Sequence, residues 1–257
     1  MRPDAEFEMV HYLIQMGLND CQIARASGIP RGTIRDWRHL KRKASGDKHS
    51  TQGDCPRCDH AVLDGHWYAY LLGLYLGDGC ISEHRRKVFK LRISLDQKYP
   101  GIIEECARAM KAVRPTTKMS VGRVTCIGCI EVNSHWKHWP CLFPQHGPGR
   151  KHLRQIKLEP WQQEIVFAYP DRLLRGLIHS DGTRSMNRIF RTWGNGHSRW
   201  YEYPRYQFTN FSPDIRKIFC DACDAYGISW RQMNARTISV ARGPDVAKLD
   251  LVIGPKR

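Results

Sequence analysis

The sequence predicts an α+β protein: a duplicated αββαββα unit with two antiparallel sheets meeting under paired helices, preceded by a small all-α helix–turn–helix. Three observations predict it. An apolar, small-faced segment ending in Asp-Gly occurs twice, at 70–79 and 174–182. Each copy is followed by strand-like segments and then a helix, in the same order. Ahead of both, three short helical patterns are broken at Gly17 and Gly28.

The front pattern begins at 6–15, where Phe7, Val10, His11, Leu13 and Ile14 give one apolar side. Asn19 or Asp20 can cap a second helix over 20–26, with Ile23 and Ala24 facing inward. Gly28 permits a left-handed turn, Pro30 suits a helix start, and Ile34 anchors a third helix over 33–40. This is a helix–turn–helix pattern, and Arg31, Arg35 and Arg38 would project from its last helix towards a major groove and its phosphates. A plain three-helix packing module is the alternative.

Residues 41–53 are polar, basic and poor in apolar side chains, as a linker is. The expected domains are therefore 1–45, a basic linker 46–64 carrying a Cys-x₂-Cys, and two repeats at 65–155 and 156–257. Cys55-Pro56-Arg57-Cys58 is half of a structural Zn²⁺ site, because such a turn lets both sulfurs reach one ion. The other half is open: His60, His66, Cys126 with Cys129, or Cys141 with His146 all qualify. Cys220 and Cys223, three apart on a helix, read as buried thiols. Ten cysteines in 257 residues make no dense disulfide framework, and a reducing compartment is expected.

The first motif segment has no polar face to offer water, so its helix is buried. Gly73 and Gly77 lie one turn apart and admit a close backbone. Asp78 falls at the helix C-terminus, where the dipole makes a lone carboxylate unfavourable without a cation. The second copy places Gly176, Ser180 and Asp181 in the same order. Packed through their small faces, the two helices would bring Asp78 and Asp181 together, a pair suited to Mg²⁺ or Mn²⁺.

After the first motif, 88–95 alternates Lys90 and Arg92 against Leu91 and Ile93, a strand with a basic and an apolar face. A helix over 99–113, strands over 118–125 and 129–134 and a short helix over 136–143 follow. In the second half the elements are a motif helix over 170–180, strands over 184–192 and 203–209, and a helix over 213–226. Strands over 230–234 and 237–241 and a helix over 244–251 end it. Laid on each other, the halves bring Pro100 onto Pro213 and Gln97 onto Asn210. The polar sheet faces are expected to be basic: Lys87, Lys90, Arg92 and Arg123 in one half, Arg184, Arg188, Arg191 and Arg205 in the other. The connector Gly147-Pro148-Gly149-Arg150-Lys151-His152 offers Arg150 and Lys151 as phosphate contacts, with a plain stiff connector as the alternative.

Lys and Arg number 41 against 25 Asp and Glu, a net charge of +16 that favours a polyanionic partner. No apolar run is long enough to cross a membrane and no signal-peptide core opens the chain, so the expected setting is cytoplasmic, nucleoid-associated.

The two motif segments resemble the motif of the LAGLIDADG homing endonucleases, in their single-chain form with two pseudo-symmetric halves. The resemblance covers roughly 65–257. It implies a monomer with internal two-fold pseudosymmetry whose sheets form a DNA-binding saddle. It also implies that Asp78 and Asp181 bind the metal, assisted by the carbonyls of Gly77 and Ser180. The motif's sixth position, often acidic in the family, is Leu76 and His179 here. Gln97 and Asn210 fall where the family places polar residues that organise water, and Arg242 or Lys98 is the basic residue that polarises it. The implied activity is site-specific hydrolysis of double-stranded DNA. The alternative is a DNA-binding transcriptional regulator that keeps the scaffold without cleaving.

Overall fold

Apolar residues at helical spacing, interrupted by glycine, build the front of the chain. In a computed structural model, residues 4–39, 54–114, 120–194, 196–254 and 256 are described. The segment 41–53 read as a linker lies outside the described residues. The chain divides into two compact units, Met1–Gln52 and Gly53–Arg257.

In the first unit α1 is Asp4–Gln15, α2 is Asp20–Ser27 and α3 is Arg31–His39. Val10, Ile23, Ile29 and Ile34 close its core. The side chain of Asn19 accepts from the Cys21 and Gln22 amides, and Gln22 accepts in return from the Asn19 amide (2.9 Å), a complete capping box. Gly28 takes φ 69°, the left-handed turn that lets α3 follow at once. α1 and α3 each begin two residues earlier than their patterns suggested.

The second unit opens on a turn over 56–59, then α4, Gly65–Asp78, capped by the Asp64 carboxylate on the Trp67 amide (3.1 Å). Next come β1 (Gly79–His84), β2 (Val88–Asp96), α5 (Pro100–Val113), β3 (Gly122–Cys126), β4 (Cys129–Trp136) and α6 (Trp139–Leu142). Past the connector lie α7 (Pro160–Ala168), α8 (Pro170–Asp181), β5 (Gly182–Thr192), β6 (Ser198–Thr209) and α9 (Pro213–Ala225). β7 (Arg231–Asn234), β8 (Thr237–Val240) and α10 (Gly243–Ile253) complete the fold. The sheets run β1-β2-β4-β3 and β5-β6-β8-β7, antiparallel throughout, so the expected duplicated α+β architecture is present.

Several boundaries differ from expectation. Both motif helices pass into strands without a loop, so β1 and β5 start on Gly79 and Gly182. β4 runs on to Trp136, which shortens α6. The first part of the strand expected from 118 lies outside the described residues. α7 was not foreseen, and the stretch from Asp54 is no linker, since Cys55 is fully buried in the main core.

The duplication extends to backbone detail. The Gln97 amide donates to Gly128 O (3.5 Å) and the Asn210 amide to Arg236 O (3.0 Å), so each inner strand ends on the turn of its outer hairpin. Pro100 and Pro213 each open the following helix, where a missing N–H costs nothing. No described helix is long and apolar enough to cross a membrane.

Candidate active site and nucleic-acid interface

Small residues set the separation of α4 and α8. A Cβ on Gly73 would lie 2.6 Å from Leu173 O, and one on Gly176 would lie 3.0 Å from the Gly73 Cα. A Cβ on Gly77 would meet the Ser180 side chain and stand 3.1 Å from Asp181 Oδ2. The helices therefore touch backbone to backbone, which brings the Asp181 carboxylate beside Gly77 and near enough to Asp78 for its charge to be felt there.

Two small cavities flank that seam. One, of about 210 Å³, is lined by Asp78, Asp96, Tyr99, His179, Ser180 and Lys256. The other, of about 270 Å³, is lined by Gly77, Lys151, Asp181, Thr209, Asn210 and Phe211. Their linings match by repeat: Asp78 answers Asp181, Ser180 answers Gly77, and Lys256 answers Lys151. Each carboxylate thus shares its cavity with a lysine from the opposite half.

The lysines also terminate the helices. Lys151 Nζ donates to Leu76 O (2.9 Å) and Gly77 O (2.8 Å), carbonyls that the end of α4 leaves without a helical donor, and to Tyr75 O, which also accepts from the Gly79 amide. Lys256 Nζ donates to Gly182 O (2.5 Å) and His179 O (3.4 Å) at the end of α8. An ammonium there answers both the helix dipole and the carboxylates. The Gly77 carbonyl, expected to assist a metal, accepts from Lys151. The Ser180 hydroxyl turns back on its own helix, donating to Gly176 O (3.1 Å) and Leu177 O (3.0 Å).

Burial, and then the neighbouring Asp181, push the Asp78 carboxyl up to about 6, against the pull of Lys151 and Lys256. Asp181 is also raised by burial, but its Asn210 partner pulls it back down. Burial lowers Lys151 to about 8, with Asp181 and Asp78 opposing. Two negative and two positive groups therefore face one another in a poorly solvated place, where each charge is costly alone.

The polar residues expected to organise water behave differently. Asn210 Nδ2 donates to Asp181 Oδ2 at 2.6 Å, whereas Gln97 is exposed. Lys98 is exposed just beyond β2. Arg242 lines a separate cavity of about 400 Å³ with Tyr203, Arg205 and Trp230. The cations beside the carboxylates are Lys151 and Lys256 instead. Sequence reading took Lys151 for a phosphate contact and missed Lys256. The signal was a repeated Gly-Pro followed by Lys, at 147–151 and 254–256.

The basic residues divide by strand parity, since directly paired and alternate residues share a face. Leu91, Ile93 and Val132 mark the helix-covered face of the first sheet, leaving Lys90 and Arg92 on the open face. Lys90 there pairs with Glu131 (2.6 Å). Arg123 stands opposite Val132, hence on the helix side, where it pairs with Glu104 (2.5 Å). Lys87 is exposed in the turn before β2. In the second sheet the buried Tyr206 and Phe208 mark the covered face, which Arg184 and Arg188 share. Arg184 pairs with Asp250 of α10 (2.7 Å) and Arg188 with Glu202 (3.0 Å). Arg123, Arg184 and Arg188 are thus corrected from the open to the covered face. Arg191 and Arg205 lie on the open face, joined by the unforeseen Arg199 and Arg231.

Arg150 is exposed. The connector's carbonyls wrap the Arg154 guanidinium, which donates to Gly147 O (2.6 Å), Pro148 O and Gly149 O. In the front unit Arg31 and Arg35 are exposed. Arg38 turns back to Asp20 (2.8 Å) and Leu18 O (2.9 Å), so it braces the fold rather than projecting. Cys220 and Cys223 are buried thiols in α9, as expected. Cys55 and Cys58 gather with His138 and Cys141.

No family model and no curated protein matches the sequence. Among solved structures, the chain is similar to the homing endonuclease I-DmoI in complex with DNA and Mn, at 15% identity. That match covers 74% of this chain and 98% of that one, with a TM-score of 0.47. It is also similar to the LAGLIDADG meganuclease I-AabMI bound to uncleaved DNA (12% identity, 71% and 81% covered, TM-score 0.44). Full-length DUF199/WhiA from Thermatoga maritima matches at 16% identity over 75% of this chain and 56% of that one, with a TM-score of 0.45. Likenesses this faint carry no weight for activity.

Proposed function

We propose that the chain is a divalent-metal-dependent endonuclease that hydrolyses double-stranded DNA at a long target. The observation that carries this reading is the pair of repeat-related cavities, each presenting one half-buried carboxylate at the seam of α4 and α8. Asp78 and Asp181 would hold Mg²⁺ or Mn²⁺, with the Ser180 carbonyl as a further oxygen; both are hard-oxygen donors of the kind these ions select. When bound, such an ion acidifies water and stabilises the charge that builds on the phosphate and the departing 3′ oxygen. Asn210 fixes the orientation of Asp181. Lys151 and Lys256 counter the remaining negative charge and offer ammonium groups to phosphate oxygens. Arg92, Arg191, Arg199, Arg205 and Arg231 would line the duplex, since a two-stranded ribbon fits the major groove. Arg31 and Arg35 of the front unit would add a second grip.

One observation favours a second reading. Lys151 and Lys256 already balance Asp78 and Asp181, so the centre is neutral without a metal, as a non-cleaving DNA-binding regulator would need.

A plasmid library of random sites, incubated with Mg²⁺, separates the two. The nuclease reading expects discrete double-strand cleavage that Asp78→Asn and Asp181→Asn each reduce by roughly a thousandfold or more, with DNA binding retained. Tight sequence-selective binding without cleavage by the native chain would establish the regulator instead.

A further inference from the structure

We propose that Cys55, Cys58, His138 and Cys141 form a structural zinc site, separate from the carboxylate centre. One half is the Cys-x₂-Cys turn ahead of α4, and the other is a His-x₂-Cys at α6. The four ligand atoms all lie within 4.8 Å of one another. Cys58 Sγ is 3.6 Å from Cys141 Sγ, and Cys141 Sγ is 3.7 Å from His138 Nδ1. Those are close to the edges of a tetrahedron whose centre lies roughly 2.3 Å from sulfur and 2.0–2.1 Å from nitrogen. Three soft thiolates and one imidazole select zinc over the hard cations suited to Asp78 and Asp181. A disulfide would need its sulfurs at about 2.05 Å and would leave Cys55 and His138 unused.

The turn is built to hold this shape. The Cys55 amide donates to Asp59 Oδ2 (3.0 Å), and the Asp59 amide donates to Cys55 O (2.8 Å). Just before it, Asp54 accepts from Trp136 Nε1 (3.0 Å) and Arg114 Nε (2.7 Å), fastening the turn to the end of β4. Within it, the Arg57 guanidinium lies over the Trp161 ring of α7, 4.7 Å from its centroid. Both halves of the ligand set are thus carried on docked backbone. Zinc binding releases the three thiol protons to solvent and fills all four positions with protein, which leaves no open site for chemistry. The ion would tie the start of the first repeat to its end, closing a long loop whose freedom the unfolded chain would otherwise keep.

The test uses the full chain purified from zinc-supplemented medium. Elemental analysis should find one zinc per chain. Chelation should lower Tm by roughly 10 °C, and Zn²⁺ but not Mg²⁺ should restore it. Co²⁺ added to the stripped chain should give the visible bands of a tetrahedral thiolate site. Cys58 is exposed, so Cys58→Ser should fold yet lose the metal, whereas Cys126→Ser with Cys129→Ser should keep it. A native chain that binds neither zinc nor Co²⁺, holds iron instead, or keeps its zinc in Cys58→Ser would overturn the proposal.

Discussion

The two motif helices occupy equivalent places but are held by different physics. α4 is apolar almost throughout, and residues 68–76 are all buried. α8 carries a polar stripe instead. Arg175 grips Glu105 of α5 with two bonds of 2.7 Å and donates to the Val252 carbonyl (2.6 Å). His179 joins the Tyr70 hydroxyl (3.0 Å) to Ile253 O (3.3 Å), where Leu76 stands in the first copy. Asp181 is held by Asn210 (2.6 Å), while Asp78 shares its cavity with Leu95, Asp96, Ile102, Ser180 and Lys256. Burial alone is non-directional, whereas hydrogen bonds fix orientation. The duplicated frame therefore supports one oriented carboxylate and one that burial raises to about 6.

What the halves share is the seam, so breaking it has the largest effect. A Cβ on Gly176 would strike the Tyr70 carbonyl and the Gly73 Cα, both backbone, and neither can rotate aside. Gly176→Ala is expected to cost about 3 kcal/mol or more, read as a loss of roughly 10 °C in Tm by calorimetry. A melt within 2 °C or so of the native chain would mean that the helices do not rely on backbone contact.

The polar stripe predicts an acid response that the apolar helix lacks. Burial, and then Arg175, lower His179 to about 4, against an ordinary value of 6.5. Its folded state prefers the neutral ring, so the contribution is fully present above pH 6.5 and is lost as pH falls towards 4. Asp78 has the opposite sign: its raised carboxyl favours the folded state at low pH and loses that contribution as pH rises from 3.8 through 6. His179→Gln can still donate to Ile253 O and accept from Tyr70. Relative to the native chain it should gain on the order of 2 kcal/mol between pH 7 and 4.5, measured by urea melts. Parallel pH profiles would show that His179 titrates normally.

Much of this frame was legible because it rests on local pattern. The small faces of both motif helices, the terminal Asp residues and the matched Pro100 and Pro213 need only spacing and residue type. Sheet faces were legible only where apolar residues mark one side. Leu91 and Ile93 place Lys90 and Arg92 correctly, but β5 reads Met186, Ile189, Phe190, with no consistent parity. A one-residue ambiguity reverses every face, which misplaced Arg184 and Arg188. The repeated Gly-Pro before Lys151 and Lys256 relates the two lysines, but not their placement beside the carboxylate of the opposite half, because each cavity joins elements from both halves. His138 lay within sight of Cys141, three residues ahead of it, yet only the turn at α6 shows that it, and not His146, faces Cys55 and Cys58.

The smallest effect sharpens the comparison most, because it opposes two positions that the repeat makes equivalent. Asn210 Oδ1 accepts from the Ser212 amide (2.8 Å) while its Nδ2 donates to Asp181, so the amide is locked at both ends. Asn210→Ala removes a hydrogen bond to a half-buried carboxylate and should cost about 1.5 kcal/mol. Gln97, exposed at the same point of the first half, should cost under about 0.5 kcal/mol on replacement by Ala. With Mg²⁺ and DNA present, a Gln97 that organises water in the loaded centre would make Gln97→Ala slow cleavage while leaving the melt unaltered. Equal destabilisation by the two substitutions would mean that both carboxylates are supported alike, and that Asp78 is oriented by a partner other than burial.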